Sequence, residues 1–121
     1  MNVLVIDGQG GGLGRQLVAA ISAACPEARL TAVGTGENAV IVNCRTADII
    51  VGPIGIVIAD ALLGEITPAM AAAVCQSPAR RVLVPINHCE NIVVGVPDQP
   101  IGQLVAAAAQ KVKELVATLC K

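Results

Sequence analysis

The 121-residue chain contains no phenylalanine, tryptophan or tyrosine. Its core has therefore to be built from aliphatic side chains, and no aromatic face is present to stack on a bound base or ring. Tyrosine acid–base chemistry is excluded outright. Charge is also sparse, with 14% charged residues and a formal net charge of −1. That leaves no basic footprint for nucleic acid. One histidine and scattered carboxylates make too thin a set for a metal site. The cysteines number five, an odd count with no CxxC pair, which argues against a disulfide framework or zinc knot and for a reduced, cytoplasmic protein. The opening apolar run is interrupted by Asp7 and the glycines after it, so it does not read as a signal peptide. The apolar span from Ile54 to Val74 is cut by Asp60, Gly64, Glu65 and Pro68, and no membrane helix is expected.

What the chain does have is aliphatic bulk: 55% of its residues are hydrophobic. Residues 1–121 are enough for one domain with a sizeable core. So much aliphatic surface beside so little charge predicts an apolar face buried between subunits, in a homodimer or larger.

The most informative stretch is Val3-Leu-Val-Ile-Asp-Gly-Gln-Gly-Gly-Gly-Leu-Gly-Arg15. Val3 to Ile6 reads as a strand buried on both faces. Leu13, Leu17, Val18 and Ile21 then recur at helical spacing. Between them lie Gly8, Gly10, Gly11, Gly12 and Gly14, which suit a tight turn or a close approach to a ligand. A glycine turn leading from a strand into a helix makes an anion site, because the first helical turn offers unpaired N–H groups and a positive dipole end. A phosphate-bearing small molecule is expected there, with glycines used only for close strand–helix packing as the alternative.

Further along, Arg29 to Gly34 reads as a second strand. Thr35 can cap a short helix through Cys44, although Val40-Ile-Val42 would also suit a strand. Helix is favoured because parallel neighbours need a crossover of about a dozen residues. Asp48 to Val51 is the third strand, and Gly52-Pro53-Ile54-Gly55 turns it into a helix from about Ile56 to Leu63. Thr67 before Pro68 is an N-cap with proline at the first helical position, opening a helix to about Gln76. Arg81 to Ile86 is the fourth strand. A short link, Asn87-His-Cys-Glu90, leads to a further apolar run, Ile92 to Val96, which implies an antiparallel hairpin. Apolar residues from Ile101 to Leu119 follow the pattern of an amphipathic final helix.

This alternation predicts an α/β fold: a three-layer Rossmann-like sandwich with a mostly parallel sheet and a C-terminal antiparallel hairpin strand. Right-handed crossovers place the loop after each parallel strand on one edge. The expected binding residues gather there: Asp7, Gly8, Gln9, Gly10, Gly11, Gly12, Leu13, Gly14, Arg15, Thr35, Gly52, Pro53, Ile54, Gly55 and Asn87. Asp7 is placed to position a hydroxyl or a metal-bound water on the ligand, or to accept N–H bonds from neighbouring turns. Gly52 to Gly55 forms either a second backbone cradle or simply a tight turn.

Counted from Gly8, the glycines at 8, 12 and 14 follow G-x-x-x-G-x-G, which resembles the cofactor turn of short-chain dehydrogenases. The resemblance implies NAD(P) or another nucleotide, and Arg15 would favour NADP by meeting an extra phosphate. Three features depart from that family: no tyrosine is present, no acidic residue ends the second strand to hold a ribose, and the chain is much shorter.

A wider resemblance is carried by Val-Ile-Asp-Gly-Gln-Gly-Gly-Gly at 5–12, Thr-Gly-Glu-Asn-Ala-Val at 35–40, Gly-Pro-Ile-Gly-Ile-Val at 52–57, Leu-Gly-Glu-Ile-Thr-Pro at 63–68 and Asn-Ile-Val-Val-Gly-Val at 91–96. Together they resemble a family of small bacterial proteins catalogued as a domain of unknown function. The resemblance implies no activity, substrate or catalytic residue. It does imply an additional helical stretch before the Thr-Gly-Glu-Asn segment, where here Gly34-Thr35-Gly36 joins directly.

The leading expectation is nucleotide or dinucleotide binding at Gly8 to Gly14. The alternatives are an enzyme acting on a small phosphorylated metabolite, with Asp7, Asn87 and His88 as its polar groups, and a ligand-free assembly module.

Overall fold

The computed structural model describes residues 1–8, 12–86 and 91–119. The chain runs β1 (Asn2–Ile6), α1 (Leu13–Ala24), β2 (Arg29–Val33), α2 (Glu37–Cys44), β3 (Ile49–Pro53), a 3-10 turn (Ile54–Val57), α3 (Pro68–Gln76), β4 (Arg80–Val84) and α4 (Ile101–Leu119). The strands form one all-parallel sheet in the order β2-β1-β3-β4. β1 is central, pairing Val3 with Leu30 of β2 on one side and with Ile49 of β3 on the other.

Successive residues of a strand face opposite ways, and both faces of this sheet are apolar. Val3, Val5, Ile49 and Val51 join Leu17 and Ile21 of α1 and Val105, Ala108 and Val112 of α4 in one buried cluster. Leu4, Ile6 and Ile50 join Val40 of α2 and Met70 and Val74 of α3 in a second. This explains why β1 and β3 read as unbroken aliphatic runs. Aliphatic side chains, joined by Cys25, Cys44 and Met70, fill both clusters, as the missing aromatics require.

Several expected elements are present. The segment after β2 is helical across Val40 to Val42, as the length of a parallel crossover demands. The Thr67 hydroxyl accepts from the Met70 N–H at 3.2 Å, with Pro68 opening α3. Two expectations are overturned. The expected antiparallel hairpin strand at Ile92–Val96 is not formed: the sheet is all-parallel, and this segment turns back on itself. Gly95 sits at φ +83°, and the Val96 N–H donates to the Val93 carbonyl. Pro97 and Pro100 lack the N–H groups that a ladder would need. The helix expected over Ile56 to Leu63 is only the 3-10 turn at Ile54–Val57. Asp60, Leu62 and Leu63 all take positive φ, a left-handed conformation that ends any helix.

Candidate functional site

In a parallel sheet the C-terminal strand ends share one edge, and β1, β2 and β3 deliver Asp7, Gly34 and Gly52–Pro53 to it. A cavity of about 480 Å³ opens there, lined by Asp7, Gly14, Arg15, Val18, Ala32, Val33, Gly34, Thr35 and Glu65. Its size is typical of a small-molecule site. The walls come from the first turns of α1 and the end of β2, while Glu65 arrives from the loop before α3.

Asp7 continues β1, its N–H donating to the Val33 carbonyl at 2.9 Å. Its side chain lies against the helix start so closely that a Cβ on Gly14 would stand 2.5 Å from Asp7 Cβ and Cγ. Gly14 is therefore needed for the approach of helix to strand. Asp7 Oδ1 is buried and has no hydrogen-bond partner among the described residues. Gly12 caps α1 at φ −72° with no side-chain cap, and the first turn holds no acidic residue. The N–H groups of that turn lack intrahelical acceptors, as at any helix start. Arg15 is exposed beside them.

Thr35 does not cap α2; that position falls to Gly36. Its hydroxyl instead donates to Glu65 Oε1 at 2.9 Å, across thirty positions of sequence. A second bond of this kind, from Thr67 to Glu37 at 2.7 Å, ties the same loop to the start of α2. The loop also reaches over the first glycine: a Cβ on Gly8 would stand 2.4 Å from Leu62 Cδ1, and one on Gly55 would stand 3.3 Å from the same side chain.

The expected residues thus divide. Asp7, Gly14, Arg15 and Thr35 meet around the cavity. Gly12 sits at the exposed helix start, Leu13 turns into the core, and Gly8 packs under Leu62. Gly52 and Pro53 belong to β3 and Ile54 and Gly55 to the turn after it; none of these four lines the cavity. A Cβ on Gly52 would stand 2.7 Å from the Ile6 carbonyl oxygen, so this glycine serves close packing. Gln9, Gly10, Gly11, Asn87 and His88 lie outside the described residues. The residue missed from the sequence is Glu65. Nothing in its own neighbourhood marks it, because its partner Thr35 lies on another loop.

Residues 28–117 match the family described as a domain of unknown function, DUF3842. The chain belongs to this family. The matched span holds most of the resembling segments, including Thr35–Val40, Gly52–Val57, Leu63–Pro68 and Asn91–Val96, and begins after the glycine turn. No curated protein and no solved structure matches the chain. Among the described residues no cluster of metal-ligating side chains occurs, and no helix is long and apolar enough to cross a membrane.

Proposed function

We propose that this DUF3842 chain is a Rossmann-like, three-layer α/β unit that binds a nucleotide or dinucleotide, its phosphate held at the start of α1. The observation that carries this reading is the cavity of about 480 Å³ at the strand-end edge, beside a helix N-terminus that no described side chain caps. The helix dipole and the N–H groups of the first turn attract an anion, and exposed Arg15 adds a positive charge. The lining suits this class of ligand: amides and a guanidinium to donate to phosphate, carboxylates to accept from hydroxyls, and Val18, Ala32 and Val33 for an apolar ring. The strand order supports the reading too. The chain crosses from β1 to β2, then returns past β1 to β3, and ligands of open α/β sheets sit outside the strand ends where the order reverses.

The test is a thermal melt, followed by far-ultraviolet circular dichroism because the chain lacks aromatic fluorophores, against a panel of nucleotides and sugar phosphates. A ligand at a hundred times its Kd stabilises the native state by about 2.7 kcal/mol, several degrees of Tm. Gly12→Val is expected to abolish the shift without unfolding the chain, since among the described residues an added Cβ on Gly12 meets only Gln16 Nε2, at 3.6 Å. If no member of the panel shifts the melt, the reading fails.

A further inference from the structure

An acidic side chain at the end of the second strand is how a dinucleotide fold holds a ribose hydroxyl. The residues that follow β2 here are Gly34 and Thr35, and neither is acidic. The fold nevertheless delivers a carboxylate to that place. Glu65 lines the cavity together with Val33, Gly34 and Thr35, half-buried, with Oε1 bonded to the Thr35 hydroxyl at 2.9 Å.

The loop that presents it is closed on itself by backbone bonds from Gly64 N–H to the Asp60 carbonyl and from Ile66 N–H to the Ala61 carbonyl. Leu62, 1% exposed, anchors its base against Gly8 and Gly55. Three non-glycine residues in left-handed conformation are held there. Such strain persists only where the surroundings over-determine it, which is the character of a loop that positions a group.

We propose that Glu65 selects the ligand: the site takes a nucleotide whose ribose carries free vicinal hydroxyls and discriminates against one phosphorylated at the 2′ position. This rests on the phosphate-site reading above and narrows it. A carboxylate accepts hydrogen bonds from a diol and repels a phosphate dianion at the same distance. Thr35 is a positioning residue, fixing one carboxylate oxygen so that the group faces the cavity in one orientation. Arg15 does not reverse the preference. It is exposed in the first turn of α1, next to the amides that take the backbone phosphates, and belongs to that part of the ligand.

The experiment titrates the full chain calorimetrically with ADP-ribose, with ADP-ribose 2′-phosphate and with inorganic phosphate. ADP-ribose is expected to bind at least about tenfold tighter than its 2′-phosphorylated counterpart, the scale of a charge-assisted hydrogen bond. Glu65→Gln, of the same shape, should narrow that ratio to within about threefold. Thr35→Val should narrow it partially while Glu65 keeps its charge. Equal affinities, tighter binding of the 2′-phosphorylated compound, or a preference that survives Glu65→Gln overturns the inference. In those cases the phosphate-site reading stands if Gly12→Val still removes binding of both nucleotides. Absence of binding by both nucleotides overturns the two together.

Discussion

At the scale of single residues, the helix start is fitted to Asp7. Gly14 has no room for a side chain, since its missing Cβ would fall 2.5 Å from Asp7 Cβ, an atom too close to its own backbone to swing aside. Gly14→Ala is expected to cost about 1–3 kcal/mol in urea unfolding. Asp7→Gly removes the obstacle. The double variant Asp7→Gly/Gly14→Ala should therefore lose less than the sum of the two single losses, a coupling that additive effects would not show. The spacing of the glycines gave a strand–helix turn but not their separate roles. Gly14 meets the Asp7 carboxylate, Gly8 meets Leu62 and Gly12 meets the end of the Gln16 side chain, and these partners come from three places in the fold.

At the scale of elements, the loop between the 3-10 turn and α3 departs furthest from what the sequence announces. Val40 to Val42 was readable as helix because chain length between parallel strands forces a crossover, and Thr67-Pro68 was readable because capping chemistry is local. Positive φ at Leu62 and Leu63 has no such signature, since leucine ordinarily avoids it. The hairpin expectation failed for a related reason. Ile92, Val94 and Val96 alternate as a strand would, and the turn at Gly95 decides against it. The loop offers a sharp contrast between neighbours. Leu62 is buried at φ +56° and Leu63 is 94% exposed at φ +57°. Leu63→Asn is expected to raise stability by about 0.5–1 kcal/mol, because it relieves the left-handed strain without losing packing. Leu62→Ala should lower it by about 2–5 kcal/mol through the cavity it leaves. Thermal melts of the two variants should move in opposite directions.

At the scale of the whole molecule, the apolar surface is unevenly disposed. Ile92 is 89% exposed and Val94 93% exposed, on the segment between β4 and α4. Surface of this kind supports self-association, and we expect the chain to sediment as a homodimer or larger at micromolar concentration. The double variant Ile92→Ser/Val94→Ser should shift it towards monomer. A wild-type chain that sediments as a monomer overturns the expectation. The parallel character of the sheet was legible from its aliphatic runs and crossover lengths. Which loop would supply the acidic group at the strand-end edge was not, because Glu65 and Thr35 meet only after the helices have packed.

The seam between α1 and α4 has a consequence for synthesis on the ribosome. Val3, Val5, Ile49 and Val51 are covered in part by Val105, Ala108 and Val112, which are translated after every strand of the sheet. Until residues 101–119 leave the exit tunnel, a nascent chain with its strands already paired presents a bare aliphatic face. Holdase chaperones recognise such a face, and elongation through the last helix sets how long it stays open to them.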